Sequence, residues 1–477
     1  MESHSAVAPV HNLYVTVWSF NLFTITDGAI RSIILLYANK LGFNAILIAV
    51  MFSMYELAGV FTNLFGGVIA TRYGLKFTLL CSLVCQVVGL GLLLTIEPIF
   101  GDLETMTNKG GATAFITFCQ ALSGIAKDLM KLSCKSMPKL VSKPGDDDKL
   151  FVLVAWVTGL KNSFKGFGSI VGAILINFTS LVTSVCVLLG IIGLIVPAPI
   201  LYMDKFLGMN KKNAVFNLKV LQKGRDVNVL SLARFFLFGA RDIWYEIAAP
   251  LFLSQALLWS DWTVGLFLGG YTIVYGFFQT SVSKLFKKSS KENLSSLAKV
   301  FNGLPPVSQV KNWAYGTAAQ LVVWSCILYP LYRHLINTGN SDGALWGINI
   351  VFVFGVLCFA ILFAVNSAVH SYFIVRYAGK DKLAMDMGFY YMANAGGRLV
   401  GTLLSGVIYY YTEKQFGLSV PLWSAGATMI AAGFVAIRLE EPATEMSPPI
   451  EPQIKPVFDE SMNESMDSST PDEISVI

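Results

Sequence analysis

The stretch Arg234-Phe-Phe-Leu-Phe-Gly-Ala-Arg241-Asp242-Ile-Trp244 sets two arginines into a run that is otherwise apolar enough to cross a lipid bilayer. Seven residues apart, the two lie on one face of a helix. A charge at the bilayer centre costs about 2.5 to 3.5 kcal/mol on insertion scales, so such residues usually face a protein interior or a water-filled path. Working outward, the same anomaly recurs at Arg31, Lys161, Lys165 and Arg398. Six basic side chains inside spanning stretches point to a polyspanning carrier for an anionic solute.

Composition agrees. Of 477 residues, 54% are hydrophobic and 14% charged, and the mean hydropathy is +0.60. Soluble domains carry about 25% charge, so this is a membrane protein. Met1 to His11 lacks a basic region ahead of a short apolar core, so no removable signal peptide is expected. The net charge of +5 sits in loops between apolar runs, which excludes nucleic acid as its cause. The seven cysteines lie mostly in apolar segments and read as free thiols.

Apolar runs of about 20 residues, the length that crosses the hydrocarbon core, begin near Leu13, Asn44, Phe77, Ala112, Leu150, Phe178, Val229, Asp261, Trp313, Gly343, Met385 and Pro421. The expected fold is all-α and integral to the membrane, with twelve transmembrane helices in two six-helix bundles. Taking the N-terminus as cytoplasmic, the inward loops hold 23 basic residues, six of them at 127 to 149, and the outward loops four (Lys40, Lys109, Arg333, Lys414). The positive-inside rule then puts both termini in the cytoplasm. The expected segments are a cytoplasmic N-terminus at 1–12, an N-terminal bundle at 13–201, a linker at 202–228, a C-terminal bundle at 229–438 and a disordered acidic tail at 439–477. From Glu440 on, that tail has ten acidic residues and one lysine, too little apolar content to fold. Ser475-Val476-Ile477 offers a weak match to a groove that binds C-terminal strands, a possible cytoplasmic partner. Asn177-Phe178-Thr179 is a glycosylation sequon close to the membrane surface, expected to stay unmodified.

Asp27 and Arg31 are one helical turn apart and are expected to pair. The pair either neutralises itself for insertion or couples proton and anion binding. Lys161 and Lys165 repeat that spacing with like charges, which calls for a bound anion, a wet cavity or a carboxylate from another helix. Arg241 can grip a phosphate or carboxylate bidentately, and Arg234 reads as near the headgroups. Arg398 lies one turn from Asn394 beside Gly397, Gly401 and Ser405, small residues that admit a neighbouring helix. Glu56 stands alone among apolar residues, as a proton carrier or a hydrogen-bond donor. The expected anion site is Arg31, Lys161, Asn162, Lys165, Arg241 and Arg398. The proton-coupling candidates, for antiport, are Asp27, Glu56, Asp242 and Glu246. Cys81 and Cys85 share a face and read as small hydrophobes before they read as a soft-metal site. With no Walker A sequence and no catalytic constellation, the chain is expected to be neither pump nor enzyme and to need no cofactor or metal.

Gly67-Val-Ile-Ala-Thr71-Arg72-Tyr-Gly74-Leu-Lys76 resembles the loop 2–3 gating signature of the major facilitator superfamily, matching at Gly67, Arg72, Gly74 and Lys76 and departing at Thr71, where that family usually has Asp. Longer strings resemble one branch, the organoarsenical efflux permeases. These are Thr26-Asp27-Gly-Ala-Ile-Arg31, Tyr55-Glu56-Leu-Ala-Gly-Val-Phe-Thr-Asn63-Leu-Phe-Gly-Gly67, Gly124-Ile-Ala-Lys127-Asp128-Leu, Gly159-Leu-Lys161-Asn162-Ser-Phe-Lys165-Gly166 and the opening Arg234 to Trp244 stretch. The resemblance implies export of 1-arseno-3-phosphoglycerate and arsenate resistance. It also implies a functional link to glyceraldehyde-3-phosphate dehydrogenase, which makes that substrate when arsenate replaces phosphate. The plasma membrane is the expected location. Two other readings stay open: a carrier of an ordinary organic phosphate or carboxylate, and a non-transporting adaptor or sensor.

Overall fold

The computed structural model describes residues 8–101, 108–143, 145–209, 224–286, 303–338, 342–379 and 383–441. Most of the tail and of the central linker, and residues 287–302 between the expected spans at Asp261 and Trp313, lie outside the described residues, as does Ser475-Val476-Ile477. Twelve long helices follow one another among the described residues. The first six are α1 (Val10–Lys40), α2 (Ala45–Tyr73), α3 (Leu75–Phe100, with a turn before Ile96), α4 (Lys109–Val141), α5 (Asp147–Phe178) and α6 (Leu181–Tyr202). The second six are α7 (Arg225–Tyr245, continued by Ala248–Leu251 and a π-helical Phe252–Ala256), α8 (Asp261–Leu285), α9 (Ser308–Thr338), α10 (Asp342–Tyr377), α11 (Leu383–Phe416) and α12 (Ser419–Ala436).

Local chemistry sets the ends. Asn44, Asn108, Asp146 and Ser180 cap the helices that follow them, each accepting a backbone N–H three residues on. Between α2 and α3 the chain reverses on Gly74 at φ +89°, a conformation that suits glycine alone. Seven helices are apolar and long enough to span by composition: α1, α2, α3, α6, α9, α10 and α12. The other five described helices, α4, α5, α7, α8 and α11, are more polar. On α3, α6, α9 and α12, side chains such as Val84, Leu194, Val323 and Phe434 are exposed, as suits contact with lipid tails.

One expectation fails here. Lys127, Lys131 and Lys135 do not belong to an inward loop; they are buried in α4, which runs on to Val141. A hydropathy window reads three lysines as a loop, whereas a helix puts residues four apart on one inward stripe.

In the first half α5 packs on α1, and α4 on α2 and α3; in the second, α11 packs on α7, and α9 on α10 and α12. The halves meet along α5–α8 and α2–α11, an exchange of corresponding helices. These crossings are close: a Cβ on Gly166 would sit 2.4 Å from the Gly269 carbonyl oxygen, and one on Gly397 2.0 Å from that of Phe235. The small residues of α11 thus do admit a neighbour, α7. With an even number of described helices, the start of α1 and the finish of α12 lie at one end of the molecule, the termini end. There Lys139 of α4 donates to the carbonyls of Val375 (2.9 Å) and Ala378 at the finish of α10. Arg376 meets Asp147 at 3.3 Å, and Phe151 packs edge-on against Tyr372. These contacts join the halves at the termini end.

Candidate functional site

A cavity of about 1540 Å³, counting the space at its mouth, lies between the halves. It is lined by α1, α2, α4 and α5 from one and α7, α8, α10 and α11 from the other. The outer helices α3, α6, α9 and α12 contribute nothing to its wall among the described residues.

The centre is a lattice of ion pairs across the interface. Arg31 reaches Glu56 at 3.1 Å within its own half and Glu246 at 2.8 Å in the other. Arg398 mirrors this, meeting Asp242 at 2.9 Å and Glu246 at 3.0 Å on its own side and Glu56 at 2.9 Å across. Arg241 completes the lattice through Asp242 at 2.6 Å and Glu246 at 3.3 Å. Two carboxylates, Glu56 and Glu246, therefore hold the halves together through arginines that each half supplies. Separating such a buried pair costs about 3 to 5 kcal/mol when one partner is left uncompensated.

Three expectations are corrected by this geometry. Asp27 and Arg31 do not pair. Asp27 accepts from the Tyr55 hydroxyl and meets Lys165 at 3.8 Å, while Arg31 turns to the carboxylates of α2 and α7. Sharing a helical face allowed the pair, but carboxylates from other helices approach the guanidinium more closely. Glu56 does not stand alone: besides the two arginines it has Lys127 at 3.3 Å. Arg234 is not near the headgroups; it is 2% exposed and lines the cavity, its Nε donating to Asn394 Oδ1 at 3.1 Å.

The other expected binding residues also line this space. Lys165 has Asp27 as the carboxylate from another helix, whereas Lys161 has, among the described residues, only the Asn162 side chain, at 3.3 Å. Asn162 in turn donates to Gln279 of α8, tying the halves. Asp27, Glu56 and Glu246 reach the cavity; Asp242 lies behind Arg398 and Arg241. Sequence reasoning missed Lys131 and Asp128, which bond to one another, and Lys135. It also missed the tyrosines on the wall, Tyr245, Tyr271, Tyr275 and Tyr391. The signal was available as the four-residue repeat Lys127, Lys131, Lys135. In all, nine basic side chains line the cavity, against five carboxylates when Asp242 is included, an excess of four positive charges.

The loop 2–3 residues sit away from the cavity. Lys76 donates to the carbonyls of Ile200 and Met203, each at 2.8 Å; Arg72 is exposed; Gly67 lies against Ala384 and Met385 of α11. Thr71, in the place of the usual Asp, is buried and bonds to the Gly67 carbonyl. Cys81 and Cys85 are half-buried on α3, outside the cavity, and no cluster of three or more metal-ligating side chains occurs among the described residues.

A family model described as the Major Facilitator Superfamily matches residues 17–304. No curated protein sequence matches the chain. Among solved structures, a proton:xylose symporter, XylE, aligns with a TM-score of 0.66 at 11% identity, over 90% of this chain and 96% of its own. A bacterial homologue of the iron transporter ferroportin, in an outward-facing state, aligns at 0.63 and 11% identity over 89% and 98%. The human organic anion transporter MFSD10 aligns at 0.57 and 13% identity over 89% and 99%. At these identities the likeness is one of fold.

Proposed function

The chain belongs to the major facilitator superfamily, and from that premise we propose that this secondary transporter carries a multiply charged organic anion out of the cytosol by alternating access. One observation carries the reading: nine basic side chains against five carboxylates around the cavity between the halves, a formal excess of four positive charges. A neutral or cationic cargo gains nothing from such a site, whereas an anion replaces carboxylates that already compete for the same arginines.

The chemistry of the cycle follows from the lattice. A substrate anion that takes Arg31 or Arg398 from Glu246 or Glu56 weakens the bonds between halves, so binding and rearrangement are one event. An inside-negative potential then favours export by about 2.3 kcal/mol per charge per 100 mV. Asp27, Glu56, Asp242 and Glu246 are the groups through which protons would enter the exchange. Within the class, the best-supported cargo is 1-arseno-3-phosphoglycerate. Support comes from the resemblance of the long strings to the organoarsenical efflux permeases, most of the strings' charged residues lying on the cavity wall. The proposed setting is the plasma membrane with both termini cytoplasmic. Apart from the three buried α4 lysines, the inward loops hold 20 basic residues against four outward, which supports that orientation.

The test is retained arsenic in an arsenate-sensitive cell that lacks its own efflux systems, with and without extra glyceraldehyde-3-phosphate dehydrogenase. Dehydrogenase-dependent loss of arsenic, absent in Lys165→Gln, is expected. Unchanged retention with the chain at the cell surface would refute organoarsenical export, and competition by arsenic-free phosphoglycerates would reassign the cargo.

A further inference from the structure

The nine cations of the cavity fall into two classes. Six have carboxylates: Arg31, Lys127, Lys131, Lys165, Arg241 and Arg398. Three have none within 4.0 Å among the described residues: Lys135, Lys161 and Arg234. Their partners are neutral. The Lys135 ammonium, 7% exposed, lies 5.2 Å from the Tyr391 ring and has no hydrogen-bond acceptor among the described residues. Arg234 uses Nε on Asn394 and Nη1 on Ser367 Oγ (3.2 Å), with Phe238 4.0 Å beneath its guanidinium.

The two classes are also two layers. Helix direction gives the order along the membrane normal at 1.5 Å per residue. In α4, which runs toward the termini end, Lys135 lies roughly 12 Å beyond Lys127. In α5 and α7, which run away from that end, Lys161 precedes Lys165 by roughly 6 Å and Arg234 precedes Arg241 by roughly 10 Å. Every uncompensated cation is thus displaced toward the termini end from its compensated neighbour on the same helix. All three line the same cavity.

We propose that Lys135, Lys161 and Arg234 form a subsite for a tetrahedral dianion, the phosphoryl group of the cargo, on the termini side of the charge-balanced layer. Like charges with only neutral partners, Lys135 and Arg234 buried and Lys161 half-buried, are costly unless an anion completes them. The held guanidinium plane of Arg234 offers its remaining edge, and two ammonium groups add charge without directional demand, a set that suits a dianion better than a carboxylate. The lower layer then supplies affinity and phosphate selectivity, and the upper layer supplies the switch. The inference rests on the anion-carrier reading above.

The test uses the purified full chain at constant ionic strength set with chloride, with 3-phosphoglycerate, glycerate and inorganic phosphate as probes. Wild type is expected to bind 3-phosphoglycerate at least about tenfold more tightly than glycerate, and inorganic phosphate should raise its thermal midpoint. Lys135→Met should raise the ligand-free midpoint, because an uncompensated buried charge is gone, while lowering the 3-phosphoglycerate to glycerate ratio by about tenfold. Arg234→Gln should lower the same ratio. Arsenic export by wild type, with Lys135→Met retaining both the wild-type ratio and apparent KM, would overturn the subsite and leave the transport reading standing. A wild type that neither binds 3-phosphoglycerate nor exports arsenic would overturn both.

Discussion

Glu246→Gln separates binding from transport. In the wild type this carboxylate touches Arg31 at 2.8 Å, Arg398 at 3.0 Å and Arg241 at 3.3 Å, so an incoming anion must displace it. Unit charges 4 Å apart interact by about 4 kcal/mol at an effective dielectric of 20. The amide keeps the shape and removes that competition, and it leaves three arginines whose mutual repulsion a bound anion relieves. Part of the gain is returned because the amide still accepts one hydrogen bond. A net of about 1.4 to 3 kcal/mol remains, which is roughly tenfold to 150-fold tighter binding. Turnover should fall, because only Glu56 and Asp242 remain to reclaim the arginines from the anion and the Arg31–Glu246 link across the halves cannot re-form. Calorimetric titration with 3-phosphoglycerate and counterflow in proteoliposomes read the two quantities. Weaker binding in a folded Glu246→Gln variant, or tighter binding with normal turnover, would refute competition at this carboxylate.

Four further outcomes follow from the same geometry. Gly397→Ala puts a methyl group 2.0 Å from the Phe235 carbonyl oxygen and should destabilise the chain by about 1 to 3 kcal/mol; an unchanged thermal midpoint would contradict the α7–α11 crossing. Asp147→Asn removes the partly exposed bond to Arg376, worth up to about 1 kcal/mol. It should speed maleimide labelling of a Thr158→Cys reporter, on the cavity wall in α5, from the termini side up to about fivefold, and no change would leave that bond outside the gate. Cys81→Ser with Cys85→Ser should leave arsenic export intact, since neither thiol reaches the cavity; lost resistance at normal expression would put the thiols on the path. Truncation after Glu441 should preserve transport while sparing the contacts of Glu440 with Arg225 and of Glu441 with Val307. Loss of transport on that truncation would favour a role for the tail as effector.

Periodicity and hydropathy made the helices legible: no expected span start differs from the observed helix start by more than five residues. The cavity cations inside apolar runs were equally plain, because lipid makes each charge an anomaly. Lys127, Lys131 and Lys135 escaped because they follow one another closely enough to resemble a solvated loop, although their spacing of four is that of a helix face. The partners of the charges were illegible for a different reason. Asp27 and Arg31 are neighbours along one helix, yet the choice among Glu56, Glu246 and Asp27 depends on how α1, α2 and α7 converge. The same holds for Arg234, whose depth is set by where α7 begins, at Arg225 and not at Val229.

The contact between the halves is made largely where glycine brings main chain to main chain, as at Gly166 and Gly269 or Gly388 and Asn63. Surfaces of that kind have few rotamers to exchange as they slide, so rocking meets little steric friction and the barrier is concentrated in the ion pairs. Cargo preference and speed are then tied to one another and separable from the scaffold: altering a charge retunes what is carried and how fast, while the sliding surface is left as it was.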